Sequence, residues 1–422
     1  MSISTNAEGK YKLLALSIST PNKPIDLSLY AVKCDIYESI LSPSAIIEIT
    51  ISDSTGLLTA FNFVEECLCI SYTTNNESTP VHYEFKILEV NPVRTLPSDK
   101  GVVFVMTGIS EEILKAKTLK NIPLIRKKIE SEKIVKAMLE LTETKKELYF
   151  EKTKGLHTFS ITNTTPFDAI DQVRKGAISE KYKGSAFVFF ENKNGYHFKS
   201  IEKLVEEGLP NIGDKFFIHS TLAGSNVQGS KWRNIIAFKV IQNGNQNVGL
   251  AVGGYNNSIR RYNIETGELE FYEKNANQVD FLTMNEGSKS SSNEQQDKRN
   301  KDEGKIILSL YNGDQENNEY AEKQNLLPYY MTNFLSVIVH MTVYGDSSLT
   351  VGDMIACKIP EHTGLTLGDD RAYTDNDPIT SGNYLVCKAH HVLTFGEFPQ
   401  YYQGLEIIKD GIGGNSPKTR IV

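Results

Sequence analysis

Hydrophobic and polar residues alternate in two groups of four short segments, one group near each end of the chain. The segments lie at 45–52, 67–72, 83–90 and 102–109 in the first group, and at 337–344, 354–359, 384–393 and 402–408 in the second. A period of two residues is typical of a β-strand that buries one face. Two similar β units in one chain suggest a duplicated architecture, which favours assembly over catalysis.

Segment 337–344 shows the alternation most clearly. One face carries Val337, Val339, Met341 and Val343, and the other carries Ile338, His340, Thr342 and Tyr344. We predict that the aliphatic face lies in the core of a small barrel, because an antiparallel sheet commonly buries only one face. The mixed face is then expected to point toward a neighbouring subunit or a lumen.

The β character begins before the first group. Residues 30–38 also alternate between Pro24 and Pro43, which predicts one more strand. Residues 1–110 are therefore predicted to form a first antiparallel β-barrel domain.

The period of the hydrophobic residues changes after Ser110, and three helices are predicted there. Ser110 can cap the first helix, and the second follows Ser131. The third begins at 165–168. Three signals of a helix N-terminus coincide there, which are a capping threonine, a proline at the first helical position and an acid at the third. A hairpin follows over 185–201, turning at Asn-Lys-Asn-Gly. Residues 111–212 are predicted to form an α+β domain.

Strand-like segments return after residue 212. We assign 213–258 and 326–412 to a second antiparallel β-barrel domain, which is discontinuous because residues 259–325 form an insert. Residues 413–422 are left as a C-terminal tail. The predicted fold class is mainly β with α+β.

The insert is predicted to contain regular secondary structure and one long polar segment. A hairpin is predicted at 261–272 and a short helix near 319–327. Residues 285–304 contain no apolar side chain, so burial cannot offset the entropy cost of ordering them. We predict a mobile surface loop there.

Composition is that of an ordinary globular protein with several domains. The chain has 422 residues, of which 40% are hydrophobic and 23% charged, and its formal net charge is −7. This charge supplies no global basic field for binding DNA. We expect no secretory signal and no membrane insertion, because neither a basic, then apolar leader nor a long apolar run is present.

The five cysteines do not suggest a disulfide framework. Their number is odd and their spacing is sparse, which fits folding in a reducing cytoplasm. Cys67 and Cys69 lack the spacing of a zinc site, and two residues apart in a strand they share one face. We predict that this pair packs in the interior.

Candidate chemistry is sparse. His390 and His391 would point to opposite faces of a strand and could not hold one metal ion together. The Gly-Asp pairs within 345–353 are interpreted as turn residues. The acidic loop 368–377 is interpreted as solvated, with calcium binding as the alternative. No catalytic, cofactor-binding or metal-binding residue is predicted, and no cofactor.

Several segments, in order along more than half of the chain, resemble a known family. They are TPFDAI at 165–170, SAFVFFENKNGYHFKSI at 185–201, GGYNNSIRRYNIETGELE at 253–270, VIVHMTVYGDSSLTVGDMIACKIP at 337–360, YLVCKAHHV at 384–392 and YYQGLEIIKDG at 401–411. Together they resemble the central baseplate hub protein of contractile-tailed bacteriophages, which is related to the hub half of type VI secretion spike proteins.

The resemblance implies a homotrimer in which two barrels per chain make a pseudo-sixfold ring. Its implied partners are the tail tube protein, a trimeric central spike protein, other baseplate proteins and the tape measure protein, with DNA only in transit through the lumen. It implies a structural protein of the virion tail, assembled in the host cytoplasm.

Two other functions are alternatives. A tail-associated cell-wall lytic enzyme would need a pair of carboxylates, but nothing singles one out among 52 acidic residues. A carbohydrate-binding or receptor-binding tail protein would need exposed aromatic residues, for which Tyr329, Tyr330, Tyr401 and Tyr402 are the candidates. Paired tyrosines beside strands more often pack in cores or subunit seams.

Overall fold

A computed structural model gives the architecture, and it describes 9–20, 23–57, 61, 63–74, 79–95, 101–119, 124–161, 164–219, 233–243, 258–264, 266–273, 281–285, 306–311, 318–359 and 380–411. The fold is mainly β, as predicted, and thirteen strands join in one sheet. Among the helices that the structure describes, none is long and apolar enough to cross a membrane.

The first β unit contains the four predicted strands and three earlier ones. Its strands are β1 (Lys12–Ser19), β2 (Ile25–Asp26), β3 (Ala31–Ser39), β4 (Ile46–Asp53), β5 (Cys67–Thr73), β6 (Val81–Thr95) and β7 (Val102–Ile109). They are hydrogen-bonded in the order β3-β4-β7-β6-β5-β1-β2. Strand β1 was not predicted, because a bulge between Leu13 and Ala15 interrupts its period.

A layer of helices and short strands follows the first β unit along the chain, and the insert lies within the second β unit. The elements are α1 (Glu111–Thr118), β8 (Leu124–Ile129), α2 (Ser131–Glu140), β9 (Glu147–Phe150), β10 (His157–Ile161), α3 (Pro166–Gly176), β11 (Phe187–Asn192), β12 (Gly195–Ser200), α4 (Ile201–Gly208) and a 3₁₀ helix (Leu209–Asp214). The insert contributes β15 (Ser258–Asn263), β16 (Leu269–Glu273), β17 (Ile306–Tyr311) and α5 (Asn318–Phe334).

The second β unit closes into a barrel of six strands. They are β13 (Phe216–His219), β14 (Arg233–Asn243), β18 (Val337–Tyr344), β19 (Met354–Lys358), β20 (Gly382–Thr394) and β21 (Gln400–Lys409). The order is β14-β18-β21-β20-β19-β13, and β13 returns to β14. Strand β13 pairs in parallel with both neighbours, so the barrel is not purely antiparallel.

The two β units have the same topology. The predicted quartets are ordered β4-β7-β6-β5 and β18-β21-β20-β19, with every neighbouring pair antiparallel. Each quartet is preceded by a strand that pairs with its first member, β3 in one unit and β14 in the other. The duplicated architecture inferred from the alternation is therefore present in the pairing itself.

Burial follows the alternation within the strands. Val337, Val339, Met341 and Val343 are at most 3% exposed, which confirms that the aliphatic face of β18 lies in the barrel core. Ile47, Ile49 and Ile51 of β4 line the core of the first unit in the same way. The helix–strand layer has a core of its own, built from α2, α3, β11 and β12.

Helix caps were predicted with mixed success. At α3 the Thr165 side chain accepts a hydrogen bond from the backbone N–H of Asp168, and Pro166 takes the first helical position, as expected. Ser110 precedes α1, but its hydroxyl does not cap the helix. It donates instead to the carboxylate of Glu191 in the next layer. The Ser110 hydroxyl therefore bonds a residue 81 positions away instead of the first turn of its own helix.

Some predictions differ from the structure or lie outside the described residues. Cys67 and Cys69 are half-exposed, and Leu68 between them is buried, so the interior packing predicted for the pair is wrong. Asn285 was assigned to the mobile loop but is buried. The rest of that loop, the acidic loop 368–377 and the tail 413–422 fall outside the described residues. The domain boundaries stay a prediction.

Candidate assembly site at the junction of the two β units

Strand β20 joins the two β units into one sheet. Its first part, 382–385, pairs with β19 inside the second barrel, whereas 388–394 pair with β3 of the first unit. The register places Lys388 opposite Ser39 and Thr394 opposite Lys33, with antiparallel strands. A bulge beside Cys387 separates the two parts. This β3–β20 seam is the main backbone connection between the units.

One buried carboxylate organises the seam. Glu38 of β3 accepts hydrogen bonds from five donors, which come from β6, the β11–β12 turn, the β18–β19 connection and β20. They are the Tyr83 hydroxyl at 2.7 Å, Lys193 N–H at 3.2 Å, the Thr350 hydroxyl at 2.7 Å, Val351 N–H at 3.4 Å and His391 Nε2 at 3.3 Å. Both β units and the intervening layer therefore meet at one side chain.

Hydrogen bonding determines the charge of this carboxylate. Burial by itself would raise the pKa of Glu38, but the bonds from His391 and two hydroxyls, with the charge of His391, lower it to about 2. His391 Nε2 faces Glu38, and the Nδ1 atom of the same ring lies 2.7 Å from the Tyr401 hydroxyl. The Tyr401 hydroxyl lies 3.5 Å from that of Tyr72 in the first unit.

A second buried carboxylate ties the first unit to the helix–strand layer. Glu191, at the end of β11, accepts from the Ser110 hydroxyl, from Ala45 N–H at 3.2 Å and from Lys146 Nζ at 2.6 Å. Lys146 also donates to Glu112 at 2.8 Å. Burial raises the pKa of Glu191, and at Glu112 burial is outweighed by Lys146, which lowers the pKa. One lysine thus holds two carboxylates across the interface.

The opposite face of the shared sheet is open to solvent. A groove of about 530 Å³ crosses β3, β20, β21, β18 and β14. On its floor His340 and Lys388 both contact the carboxylate of Glu406, at 3.0 Å and 3.0 Å. His390 stacks on Tyr37 with ring centroids 4.4 Å apart. The mixed face of β18 therefore lines a groove common to both units, in which these polar groups lie among apolar side chains.

Two strands have a second partner strand over only part of their length, as far as the described residues show. In β6, residues 81–86 pair with β5 and residues 86–95 pair with β7, so from residue 88 onward β7 is the one partner strand among the described residues. In β14, only residues 233–235 pair with β13, whereas the strand pairs with β18 as far as Asn243.

The residues singled out in the sequence are structural where the structure describes them. His390 and His391 do point to opposite faces. Asp346 accepts from Ser348 N–H at 2.8 Å, and Gly352 has a φ of +86°, so these residues shape turns as interpreted. Among the described residues no cluster of histidine, cysteine or acidic side chains could hold a metal ion.

Three of the four candidate tyrosines pack rather than project, and the side chain of Tyr329 lies outside the described part of the protein. Tyr401 is buried in the core of the first unit, and Tyr402 stacks on Tyr344 with centroids 5.8 Å apart. Tyr330 is buried beside Phe334. Glu38, the centre of the junction, was not singled out in the sequence. The sequence did offer one signal for Glu38, because it places an acid within a strand whose neighbouring positions are largely apolar.

The fold matches those of phage tail proteins of known structure. A tail protein from Neisseria meningitidis MC58 aligns with a TM-score of 0.55 at 9% identity, covering 96% of this chain and 98% of that chain. The 43 kDa tail protein of prophage MuSo2 from Shewanella oneidensis aligns with a TM-score of 0.53 at 8% identity, covering 96% and 100%. No protein-family model matches the sequence, and no curated protein does.

These likenesses extend over nearly the whole length of both chains, so the complete arrangement of units is shared and not only one barrel. At 8–9% identity they establish the fold alone. The resemblance to a phage tail protein that the sequence motifs indicated is confirmed at the level of the fold.

Proposed function

We propose that this protein is a structural baseplate hub subunit of a phage tail. Three copies form a pseudo-sixfold ring that connects the tail tube to the central spike and leaves a channel for DNA. The observation that carries the proposal is the repeated topology of the two β units, joined by β3 and β20 into one sheet. Two equivalent units per chain allow three chains to present six similar contacts.

The solvent-open face of the shared sheet supports the channel. Charged and imidazole side chains lie in its groove among apolar ones. The buried carboxylates support rigidity, since Glu38 and Glu191 hold the units in one arrangement. The proposed partners are the tail tube protein above, the trimeric spike below, and other baseplate proteins with the tape measure protein. The proposed place is the virion tail, after assembly in the host cytoplasm.

The oligomeric state of the purified full chain tests this proposal. Light scattering across a range of concentrations should give the mass of a trimer, and electron microscopy should show rings with a central hole. A strict monomer at high concentration would contradict the proposal. A trimer that fails to bind a trimeric spike protein would contradict the adaptor role.

The proposed role is not enzymatic. A peptidoglycan zymogram should show no clearing around the protein. Clearing that one Glu or Asp substitution abolishes would establish the lytic alternative instead. Specific binding on a glycan array would likewise favour the receptor-binding alternative.

A further inference from the structure

We infer that Cys67 and Cys69 form a redox site, in which a peroxide oxidises Cys69 and Cys67 then closes a disulfide with it. The inference goes beyond the proposed structural role and does not depend on the trimer. It is carried by the contact between the two thiols on the outer face of β5.

The two sulfur atoms are neighbours that solvent can reach. Sγ of Cys67 and Sγ of Cys69 lie 3.8 Å apart, and both side chains are half-exposed. Leu68 between them is buried in the core of the first unit, as the alternation of a strand requires. The remaining cysteines, Cys34, Cys357 and Cys387, are buried. The two accessible thiols of the chain are therefore in contact with each other.

The surroundings of the pair are polar. Strand β5 lies between β1 and β6, and directly paired residues of adjacent strands share a face. The residues opposite the two cysteines are Ser19 and Ser17 on β1, and Lys86 and Glu84 on β6. The Ser19 hydroxyl lies 4.0 Å from the sulfur of Cys69. A thiolate at this position is thus partly hydrated and close to hydrogen-bond donors.

The contact gives the two thiols different roles. The hydrogen bond from Cys67 lowers the pKa of Cys69 to about 6, and the same bond raises the pKa of Cys67. The thiolate is the nucleophilic form of cysteine. Cys69 is therefore the residue that attacks an oxidant, and Cys67 remains a thiol that can react in a second step.

The two steps balance with hydrogen peroxide as the oxidant. The Cys69 thiolate attacks one peroxide oxygen, the O–O bond breaks, and the products are a sulfenic acid on Cys69 and hydroxide, which is protonated to water. The Cys67 sulfur then attacks the Cys69 sulfur, the S–O bond breaks, and the hydroxyl leaves with the proton of the thiol as water. Overall, two thiols lose two electrons and two protons, and one peroxide becomes two molecules of water.

The strand makes the resulting disulfide easy to reduce. Residues two apart in an extended strand have Cα atoms about 6.4–6.8 Å apart. This separation is at the upper end of the range of about 4.4–6.8 Å that disulfides span. Because β1 and β6 both hold β5, the strand cannot shorten without disturbing its hydrogen bonds. A disulfide that is strained and exposed is labile, so we expect oxidation to be reversible.

Peroxide treatment of the purified full chain tests the site. The native protein is exposed to a small excess of hydrogen peroxide, quenched with catalase, unfolded, alkylated with N-ethylmaleimide and digested for mass spectrometry. The peptide that contains Cys67 and Cys69 should be two hydrogens lighter and unalkylated, whereas Cys34, Cys357 and Cys387 should be fully alkylated. Reduced glutathione added before alkylation should restore both thiols. The oxidised protein should also melt at a lower temperature than the reduced protein.

Two single variants separate the roles of the thiols. In Cys67→Ser the second step is impossible, so the sulfenic acid on Cys69 should accumulate and be trapped by dimedone. In Cys69→Ser the pKa of Cys67 returns toward its ordinary value of about 8.5, so dimedone labelling at pH 7 should be about tenfold slower. Equal labelling rates in the two variants would overturn the assignment of Cys69 as the nucleophile.

The outcomes are independent of the proposed hub role. Wild-type protein in which peroxide joins neither Cys67 to Cys69 nor makes Cys69 reactive to dimedone in Cys67→Ser would overturn the redox site, whatever the oligomeric state. A monomeric chain that forms the disulfide would overturn the trimer but leave the redox site.

Discussion

Glu38 Oε2 of β3 lies 3.3 Å from His391 Nε2 of β20, although 353 residues separate the two along the chain. Both side chains are buried, and each belongs to a different β unit. Because Glu38 also collects donors from three other elements, this contact joins the whole fold at one point. The hub role proposed above requires such a fixed junction.

Removing the carboxylate should destabilise the whole protein. Glu38→Ala leaves a buried histidine and four further donors without their acceptor, and losing one partner of a buried pair typically costs about 3–5 kcal/mol. Urea unfolding measures the loss. Glu48→Ala removes a half-exposed acid on the adjacent strand and should change the free energy of unfolding by less than about 0.5 kcal/mol. Equal effects of the two substitutions would show that Glu38 does not organise the junction.

Stability should fall in acid because of the same residue. The pKa of Glu38 is about 2 in the folded chain against an ordinary 4.5, so the unfolded chain takes up a proton first as the pH falls. The contribution of Glu38 is complete above about pH 4.5 and is lost as the pH falls toward about 2, a change of about 3 kcal/mol. Unfolding of wild type and Glu38→Gln should converge over this range. If the unfolding free energies of the two proteins ran parallel over this pH range, the lowered pKa would not belong to Glu38.

The two faces of β18 should respond differently to a new charge. Val339 is fully buried, so Val339→Asp places an unpaired carboxylate in the barrel core at a cost of several kcal/mol. Thr342 lines the groove, where Thr342→Asp remains hydrated and should cost less than about 1 kcal/mol. Thermal unfolding distinguishes them. Greater damage from Thr342→Asp would reverse the assignment of the faces.

Cysteine reactivity should separate the outer pair from the interior ones. Cys67 and Cys69 lie 3.8 Å apart, sulfur to sulfur, on the half-exposed face of β5, whereas Cys34, Cys357 and Cys387 are buried. The hydrogen bond from Cys67 lowers the pKa of Cys69 to about 6 against burial, while the pKa of Cys67 is raised. Iodoacetamide and mass spectrometry on the native protein should therefore find Cys69 alkylated first.

The pH profile of that alkylation is a further check. The rate at Cys69 should level off above about pH 7, since its thiolate is then formed. The matched variant is Cys67→Ser, which replaces the thiol beside Cys69 by a hydroxyl. Because a hydroxyl is a different hydrogen-bond donor, the pH at which the alkylation rate of Cys69 levels off should shift. Early labelling of Cys34 in the folded protein would contradict the burial of that side chain.

The sequence by itself determined the features that depend on neighbouring residues. The alternation of apolar and polar residues identified both strand quartets and the buried face of β18, because side chains in a strand point to opposite faces in turn. The cap at Thr165 and the hairpin at Gly195 followed for the same reason, since each depends on residues within a few positions.

Only the tertiary structure decided which face of a strand is the inner one when both faces carry apolar residues, as at Cys67, Leu68 and Cys69. It also decided that Ser110 bonds Glu191 rather than its own helix. The pairing of β3 with β20 brings together segments more than 300 residues apart, and the surroundings of Glu38 exist only after that pairing. Periodicity is a local property, whereas strand partners and buried charges depend on contacts that no local pattern contains.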